Sequence, residues 1–187
     1  VRQYISGNIR YKADFFVTYI PYDSGKIKTQ IHSKTSVLHG SKLQDVCNTA
    51  LSDLHINHGQ LKVIDNGGQY FVLQARIESA VKSAHPKLDR ESLGDFKKHA
   101  QYKSDRERFR RSRLYLPGNQ AKLMLNAGIH QPDAIILDLE DSVVRSEKDS
   151  ARLIVRNALR HLNFFGAERM VRINQGGTGL KDLEAVI

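Results

Sequence analysis

The sequence of 187 residues predicts two regions of different fold class, an α+β domain over residues 1–86 and an incomplete α/β region over 110–187. In the first region, short β-rich runs and turns surround two helical patterns. From Arg113 onward, aliphatic runs alternate with helical patterns, which is typical of parallel strands joined by helices. Residues 87–109 are dense in charge and poor in aliphatic side chains. We therefore expect two domains joined by an exposed linker that is helical in part.

Six elements are predicted in the first region. They are strands over 13–20 and 28–33, a helix over 42–55, strands over 60–65 and 70–73, and a helix over 75–84. Turn residues at 21–25 and at Asn66-Gly67-Gly68 predict that each pair of strands forms a hairpin. Ser41 precedes an apolar stripe and is placed to cap the first helix. The resulting ββαββα order predicts a small α+β domain.

Three strand–helix repeats are predicted in the second region. The strands are expected at 113–116, in the acidic run that begins at Ala134, and at 170–174, and the helices at about 120–128, after residues 146–149, and from Leu180. Asn119 is a plausible cap for the first of these helices, and residues 146–149 resemble a capping box. Right-handed crossovers then imply a parallel sheet, as in an α/β barrel.

Composition restricts the class of protein. The hydrophobic content of 40% is ordinary for a soluble domain. No run approaches the roughly 20 apolar residues of a membrane helix, and the beginning of the chain lacks a signal-peptide pattern. The one cysteine, Cys47, has no partner for an internal disulfide, which fits a reducing compartment. We therefore expect a cytoplasmic protein without a membrane partner.

Positive charge is concentrated in and beside the predicted linker. Residues 87–113 contain ten Lys or Arg and five Asp or Glu. The basic side chains that could contact nucleic-acid phosphates are Lys97, Lys98, Arg106, Arg108, Arg110 and Arg111. Interspersed acids and the scarcity of aromatics leave no stacking platform, so nucleic-acid binding is disfavoured.

The acidic run from Ala134 to Asp141 begins as a buried strand and ends in carboxylates. Alternation places Asp138 and Glu140 on one face of that strand. The same alternation places Arg172 on the equivalent face of the third strand. In α/β barrels the active site lies at the carboxyl ends of the strands, where these side chains are expected.

Two interpretations of this charge cluster remain open. In the first, Arg172 binds a substrate carboxylate bidentately, while Asp138, Glu140 or Asp141 contacts a hard cation directly or through water. In the second, Arg172 forms an internal salt bridge with Glu140. An arginine and acids at such a position are costly unless they pair or bind a ligand, so both interpretations predict that the groups converge.

Other patterns carry weaker signals. Gly176, Gly177 and Gly179 predict a loop whose N–H groups could bind an anion, but the Lys-Ser/Thr of a P-loop is missing. His55 and His58 have no acid or cysteine at ligand spacing, which favours a surface or core role over a metal site. No nucleophile motif is present, and the catalytic residue stays unassigned.

Four segments of the second region resemble the β-subunit family of citrate lyase, in the citrate lyase/malyl-CoA lyase (HpcH/HpaI) group of TIM barrels. They are Arg110–Gly118, Leu137–Val143, Glu147–Arg152 and Val171–Asn174. Residues 7–86 resemble the small acyl-carrier (γ) subunit of the same enzyme, most closely in Leu61–Gly68 and Gln74–Val81. The two resemblances support each other because they occur in one chain.

The resemblance implies a carbon–carbon lyase that uses Mg²⁺ to cleave a 3-hydroxy-acyl thioester of the citryl, malyl or citramalyl type. The expected products are an acyl thioester and a keto acid, with a CoA thioester as substrate. Within this implied site, Arg172 holds the substrate, Glu140 and Asp141 border the Mg²⁺, and the direct metal ligands are expected beyond residue 187. A homo-oligomer or a lyase complex is the expected assembly.

Two departures from the family pattern bear on this expectation. Residues 110–187 supply about three of the eight units of a barrel that needs about 250 residues, so the sequence is expected to be part of a longer protein or to be completed elsewhere. In the carrier family a serine carries the CoA-derived arm, whereas Tyr11 or Lys12 stands at the matching position here. No attachment residue is therefore predicted. The alternative function is a non-catalytic, carrier-derived interaction module that docks on a lyase partner.

Overall fold

The computed structural model describes residues 2–34 and 36–187, which fall into two compact units, Val1–Gly94 and Asp95–Ile187. Each unit contains one sheet and its own helices. The α/β content of both units agrees with the predicted fold classes. None of the helices in the described ranges is long and apolar enough to cross a bilayer.

The N-terminal unit is built on a four-stranded sheet. Its elements are β1 (Tyr4–Ser6), β2 (Phe15–Ile20), β3 (Ile27–Ser33), α1 (Ser36–Asp53), β4 (Gly59–Asp65) and α2 (Tyr70–Ala84). The strand order is β1-β2-β4-β3, in which β3 and β4 are parallel and the other pairs antiparallel. Val17 and Val63 lie opposite each other in the register and are fully buried, as is Phe71 of α2. The core of this unit therefore lies between the sheet and its helices.

The predicted hairpin between residues 13–20 and 28–33 is wrong. Among the described residues, β2 pairs with β1 and β4, whereas β3 pairs with β4 alone, to which it is connected through α1. The difference follows from composition, since the apolar β2 is almost wholly buried while β3 alternates half-buried and exposed positions. An apolar strand gains most at the centre of a sheet, and a half-polar strand tolerates the edge.

The predicted strand over 70–73 is also wrong, because these residues form the first turn of α2. Phe71, Val72 and Leu73 are all fully buried, and an apolar run this short does not distinguish a buried strand from a buried helix. The turn at 66–68 therefore connects a strand to a helix. Ser41 lies within α1 rather than at its N-terminus, so it does not cap that helix.

The C-terminal unit contains a parallel three-stranded sheet in the order β5-β6-β7. Its elements are β5 (Arg113–Pro117), α3 (Ala121–Leu125), β6 (Ala134–Asp138), α4 (Lys148–His161), β7 (Glu168–Arg172) and α5 (Gly176–Val186). Leu116, Leu137 and Val171 are aligned across the sheet. The predicted strand–helix repeats and parallel pairing are confirmed.

Local details of this unit differ from the predictions. Asn119 does not cap α3; its side chain donates instead to the Glu147 carboxylate. The predicted capping box at 146–149 is absent as well, because Glu147 stands at the N-cap of α4 without a side-chain capping bond. The helix predicted at 120–128 divides into α3 and a 3₁₀ turn over Ala127–His130.

The glycines at 176–179 lie in the first turn of α5 rather than in a loop. The helix begins earlier than predicted because β7 ends at Arg172 and the chain turns immediately. Gly179 allows this turn: a Cβ at that position would lie 2.0 Å from the carbonyl oxygen of Asn174. Any side chain there would push the helix away from the end of the strand.

The composition of the charged segment 87–109 predicted an exposed linker. In the structure, parts of the segment pack against the protein instead. The Ser92 N–H donates to the Glu78 carboxylate at 3.0 Å within the N-terminal unit. Within the C-terminal unit, the Arg169 guanidinium donates to the carbonyl oxygens of Ala100 and Tyr102, both at 2.6 Å. The two parts of the segment therefore pack on the unit to which each belongs.

Candidate active site

The carboxyl ends of β6 and β7 bring the predicted charged residues together. Asp138 is the last residue of β6 and lies opposite Arg172, the last residue of β7. The Leu139 N–H donates to the Arg172 carbonyl at 2.8 Å and continues the ladder beyond both strands. Because the strands are parallel, the side chains that follow them emerge at one edge of the sheet.

Arg172 contacts three carboxylates. Its Nη2 lies 2.5 Å from Glu140 Oε2 and 2.7 Å from Asp141 Oδ2, and its Nη1 lies 3.6 Å from Asp138 Oδ2. The groups converge as both interpretations predicted, and the Arg172–Glu140 salt bridge of the second interpretation is present. The hydrogen bond to Asp141 raises the pKa of Arg172 against the opposing effect of burial, so the guanidinium stays charged.

The four partners differ in exposure. The side chain of Asp138 is 6% exposed, that of Glu140 22%, that of Arg172 38% and that of Asp141 78%. Exposed ion pairs are weak because water and salt compete for both charges. Arg172 and Asp141 therefore face solvent in an arrangement that an incoming anion can rearrange.

Asp138 has a different role from its neighbours. It accepts hydrogen bonds from the backbone N–H of Glu140 at 2.8 Å and of Ser142 at 3.3 Å. Burial acts to raise the pKa of Asp138, but the hydrogen bonds from Ser142 and Glu140 and the charge of Arg172 together lower it. The ionised Asp138 thus holds the turn that presents Glu140 and Asp141.

Two further residues brace this turn. The Lys148 ammonium donates to the carbonyl oxygen of Leu139 at 2.6 Å and also to that of Glu140. Asn174 Nδ2 donates to the same Leu139 oxygen at 2.7 Å. The sequence reasoning missed the bracing role of Lys148. Its position at the start of the helix after the acidic strand was the available signal.

The Asp182 carboxylate holds Asn174 in place through hydrogen bonds. It is fully buried and accepts hydrogen bonds from the Asn174 N–H at 2.7 Å and from Arg152 Nε at 2.5 Å. Burial acts to raise the pKa of Asp182, but the bonds from Asn174 and Arg152 outweigh it and the net shift is downward. This buried carboxylate lies on α5, eight residues after Asn174, and was not predicted as part of the site.

The acids at this edge supply oxygen atoms of the kind that Mg²⁺ prefers. Within the described residues, however, no three His, Cys, Asp or Glu side chains are arranged to hold a metal ion. The oxygens of Glu140 and Asp141 instead contact Arg172. A complete coordination shell at this edge would need other ligands.

The remaining predicted candidates lie elsewhere. His55 and His58 are both exposed, and His58 Nδ1 contacts the Gly25 carbonyl oxygen. Among the basic residues of the charged segment, Arg110 forms a salt bridge with Glu168 and Arg111 stacks over the Phe109 ring. Both arginines therefore already have partners within the protein.

Two family models match the chain, one on each side of the charged segment. Residues 111–186 match the HpcH/HpaI aldolase/citrate lyase family. The matched segment includes the charge cluster around Arg172. Residues 4–84 match the ACP family, described as malonate decarboxylase delta subunit. The chain thus combines a region similar to a lyase enzyme family with a region similar to an acyl-carrier family, as the sequence motifs predicted.

Individual relatives agree with the lyase match. The chain is 45% identical to citrate lyase subunit beta of Haemophilus influenzae over 82 residues, which are 43% of this chain and 28% of that protein. It is 35% identical to the mitochondrial citramalyl-CoA lyase of Homo sapiens over 80 residues, which are 42% of this chain and 24% of that protein. The chain therefore spans about a quarter of the length of these curated relatives.

A solved structure is similar over the same share of the chain. It is the citrate lyase beta subunit of M. tuberculosis complexed with oxaloacetate and magnesium, with 33% identity and a TM-score of 0.34. The similarity covers 41% of this chain and 34% of that one.

Proposed function

We propose that the C-terminal unit contributes part of the active site of a carbon–carbon lyase of the citrate lyase/malyl-CoA lyase type. The substrate would be a 3-hydroxy-acyl CoA thioester, and the products an acyl thioester and a keto acid. The observation that carries the proposal is the Arg172 guanidinium among Asp138, Glu140 and Asp141, at the carboxyl edge of a parallel sheet. The similarity of residues 111–186 to lyases supports it.

Such a reaction makes two electrostatic demands. A base takes the proton of the 3-hydroxyl group, the electron pair of the breaking carbon–carbon bond moves into the thioester as an enolate, and protonation of the enolate carbon gives the acyl thioester. The keto acid that departs carries a carboxylate beside its new carbonyl group. A site for this reaction must therefore bind a carboxylate and stabilise the negative charge that develops on oxygen.

Arg172 meets the first demand. Its planar guanidinium can bind a carboxylate through two parallel hydrogen bonds. The Asp141 carboxylate is 78% exposed and lies 2.7 Å from Arg172 Nη2. A substrate carboxylate would contact the guanidinium in the same way. Exchange of one exposed carboxylate for another costs little, so a keto acid can replace Asp141 on Arg172.

Glu140 and Asp141 would contribute to the second demand. When substrate replaces Asp141 on Arg172, the Asp141 carboxylate and the Glu140 oxygen that does not contact Arg172 could border a Mg²⁺ ion, directly or through water. The bound ion would supply positive charge beside the enolate oxygen. The braces from Asp138, Lys148 and Asn174 keep the turn that carries both acids in place during this exchange.

We also propose an organisation for the chain as a whole. Residues 1–86 would be a carrier-like domain, 87–109 a linker, and 110–187 the first third of a TIM barrel. The parallel sheet β5-β6-β7 and the two family matches support this division. The protein would act in the cytoplasm as a homo-oligomer or within a lyase complex, consistent with the subunit names of its relatives.

Isothermal titration of the full-length protein with oxaloacetate and Mg²⁺ tests the proposal. The wild type should bind the keto acid more tightly with Mg²⁺ than with a chelator. Arg172→Ala should abolish binding, and Arg172→Lys should weaken it because a lysine cannot bind both carboxylate oxygens in one plane. Glu140→Gln should reduce the Mg²⁺ dependence while leaving weak keto-acid binding.

Arg113→Ala is the matched control for this titration. Arg113 is an exposed arginine in the same sheet, but it begins β5 at the opposite, amino edge. Its variant should bind oxaloacetate as the wild type does. Unchanged affinity in Arg172→Ala, or an equal loss in Arg113→Ala, would refute the assignment of the carboxylate site to Arg172.

A further inference from the structure

The amino edge of the sheet β5-β6-β7 carries three exposed apolar side chains. Phe109 precedes β5, Ile129 precedes β6 and Phe165 precedes β7, and their exposed fractions are 75%, 64% and 61%. We call these three side chains the amino-edge patch. Because the strands are parallel, the segments that lead into them emerge at one edge, opposite the edge that carries Arg172. The patch therefore lies outside the proposed lyase site.

Direct contacts hold the three segments side by side. The Phe165 ring lies against Gly128, where a Cβ would be 2.7 Å from the Cδ2 of the ring, and Gly128 immediately precedes Ile129. The Arg108 guanidinium donates to the carbonyl oxygen of Gly166 at 3.3 Å, so the segment before β5 lies beside the same turn. The three apolar side chains therefore belong to one surface.

A strained turn presents Phe165 to solvent. The Ala167 N–H donates to the Phe164 carbonyl oxygen at 3.0 Å, and the two residues between them, Phe165 and Gly166, have φ values of +50° and +82°. Glycine adopts this left-handed conformation freely, whereas a bulky side chain is strained in it. Such strain is common at positions that serve a function. The exposed ring of Phe165 therefore supports a use of this turn beyond folding.

Positive charge surrounds the amino-edge patch. Residues 103–113 contain six Lys or Arg and two Asp or Glu. The acids next to the other two strands are engaged within the protein: Glu168 accepts from Arg110 Nη2 at 2.9 Å, and Asp133 accepts from two backbone N–H groups at 2.9 Å. Even when Glu168 and Asp133 are counted, this edge carries a net positive charge.

We propose that the amino-edge patch binds the surface of a membrane that contains anionic phospholipids. Its side chains project from turns and connecting segments, so they can enter the interfacial layer of a bilayer, where aromatic rings are favoured. The Arg111 guanidinium lies 4.7 Å from the centre of the Phe109 ring. Arg106, Arg111 and Arg113 are exposed and can bind lipid phosphates through charge-assisted hydrogen bonds. Such binding is peripheral and needs no spanning helix, although the sequence predicted no membrane partner.

Two other classes of partner fit this surface less well. A nucleic-acid strand would need a continuous basic track with stacking rings, but Asp105 and Glu107 interrupt the basic run and Ile129 has no ring. An acidic protein would need a pocket for each projecting side chain, whereas a fluid bilayer surface accepts all three together. The combination of projecting apolar side chains with basic neighbours therefore favours an anionic lipid surface.

The test is co-sedimentation of the full-length protein with vesicles of phosphatidylcholine alone or mixed with phosphatidylglycerol. The wild type should bind the mixed vesicles roughly tenfold or more tightly than the neutral ones, and added salt should weaken that binding. Phe165→Gly and Phe109→Ser should each weaken it by roughly fivefold or more, because each removes a ring from the interface. Arg111→Glu should weaken it by about tenfold, since a charge that attracts lipid phosphate becomes one that repels it.

Val144→Ser and Lys181→Glu are the matched controls. Val144 is 61% exposed, as Phe165 is, but it follows β6 and so lies beyond the carboxyl edge of the sheet. Lys181 is an exposed lysine of α5, which follows β7. Each variant should change vesicle affinity by less than about twofold if binding is local rather than a response to net charge or hydrophobicity. Phe165→Gly should keep or raise the urea midpoint because glycine relieves the strain of the turn, so its loss of vesicle binding cannot result from unfolding.

Binding to anionic vesicles that falls in the three patch variants and persists in both controls supports the proposal. No vesicle binding, equal binding to neutral vesicles, or equal losses in the controls would overturn it. It would also be overturned if Phe165→Gly changed the oligomeric state in sedimentation velocity without lipid, or if an oligouridylate bound the wild type and lost affinity in the same three variants. Arg172→Ala should bind vesicles as the wild type does, so failure here is distinguishable from failure of the keto-acid site.

Discussion

The two units each contain an arginine paired with aspartate, and the two pairs differ in burial. In the N-terminal unit the side chains of Arg76 and Asp14 are 1% and 3% exposed. In the C-terminal unit Arg172 is 38% exposed and Asp141 78%. The shortest contact distances are similar, 2.6 Å and 2.7 Å, so distance does not separate a structural pair from a binding site.

Burial separates them because it fixes the cost of breaking the pair. Removing one partner of a buried pair leaves an uncompensated charge in a medium that solvates it poorly. Removing a partner from an exposed pair leaves a charge that water can solvate. Arg76 therefore holds the fold of its unit, whereas Arg172 can exchange its partners for a ligand.

Arg76→Leu should have the largest effect on stability. It leaves Asp14 buried without its cation, and we expect the free energy of unfolding of the N-terminal unit to fall by about 3–5 kcal/mol. Urea denaturation followed by circular dichroism measures this loss. Adding Asp14→Leu should recover part of it, because the unpaired charge is then removed. A loss below about 1 kcal/mol, a value typical of surface pairs, would contradict the comparison.

Gly7→Ala should have the next largest effect. The new Cβ would collide with the Phe15 carbonyl oxygen, and the positive φ adds strain, so we expect a loss of about 2–3 kcal/mol. Gly25→Ala is the control, since Gly25 has a similar φ of +97° but nothing within 4 Å of its Cβ position. It should cost only about 1 kcal/mol, the strain of the backbone alone. Equal losses in urea denaturation would show that the approach of the loop to Phe15 is unimportant.

The sequence predicted the C-terminal unit better than the N-terminal one. β6 was predicted correctly because it is a short, wholly apolar run closed by acids, and α4 because its apolar residues recur at helical spacing. In the N-terminal unit, the pairing of β3 with β4 depends on which strand is more apolar, and the strand expected at Tyr70–Leu73 begins a helix instead. The turn residues that predicted a hairpin and a strand do not determine either choice, since each depends on how the element packs against the rest of the unit.

The candidate site was predictable in part. Strand alternation predicted that Arg172 and Glu140 lie together, because they stand at the carboxyl ends of two parallel strands whose register leaves little freedom. Asp182 could not be predicted, and the only signal for Lys148 was its position after the acidic strand, since both act from helices whose packing against the strand ends is a tertiary property. The supporting groups of a site are in general less visible in sequence than the groups they support.

Asp182→Asn tests that hidden support and should have a moderate effect. Arg152 keeps a second acid, Asp149, so we expect a loss of about 1–2 kcal/mol in unfolding free energy at neutral pH. The folded-state pKa of Asp182 is lowered, so its contribution is complete above the unfolded value and is lost as pH falls through the folded value. The difference in unfolding free energy between wild type and variant should therefore shrink as the pH falls below about 3.9, the ordinary aspartate pKa. A difference that stays constant with pH in urea denaturation would contradict this role.

Arg172→Ala should have the smallest effect on stability. Its acids are left near one another, but Glu140 and Asp141 reach solvent and Asp138 keeps its hydrogen bonds from the turn. We expect the urea midpoint to stay within error of the wild type, while oxaloacetate binding is lost. A small rise in stability with added salt should appear in the variant alone, because salt screens the remaining repulsion among the acids. A large loss of stability would instead make Arg172 a structural residue like Arg76 and remove the basis for assigning it to a substrate.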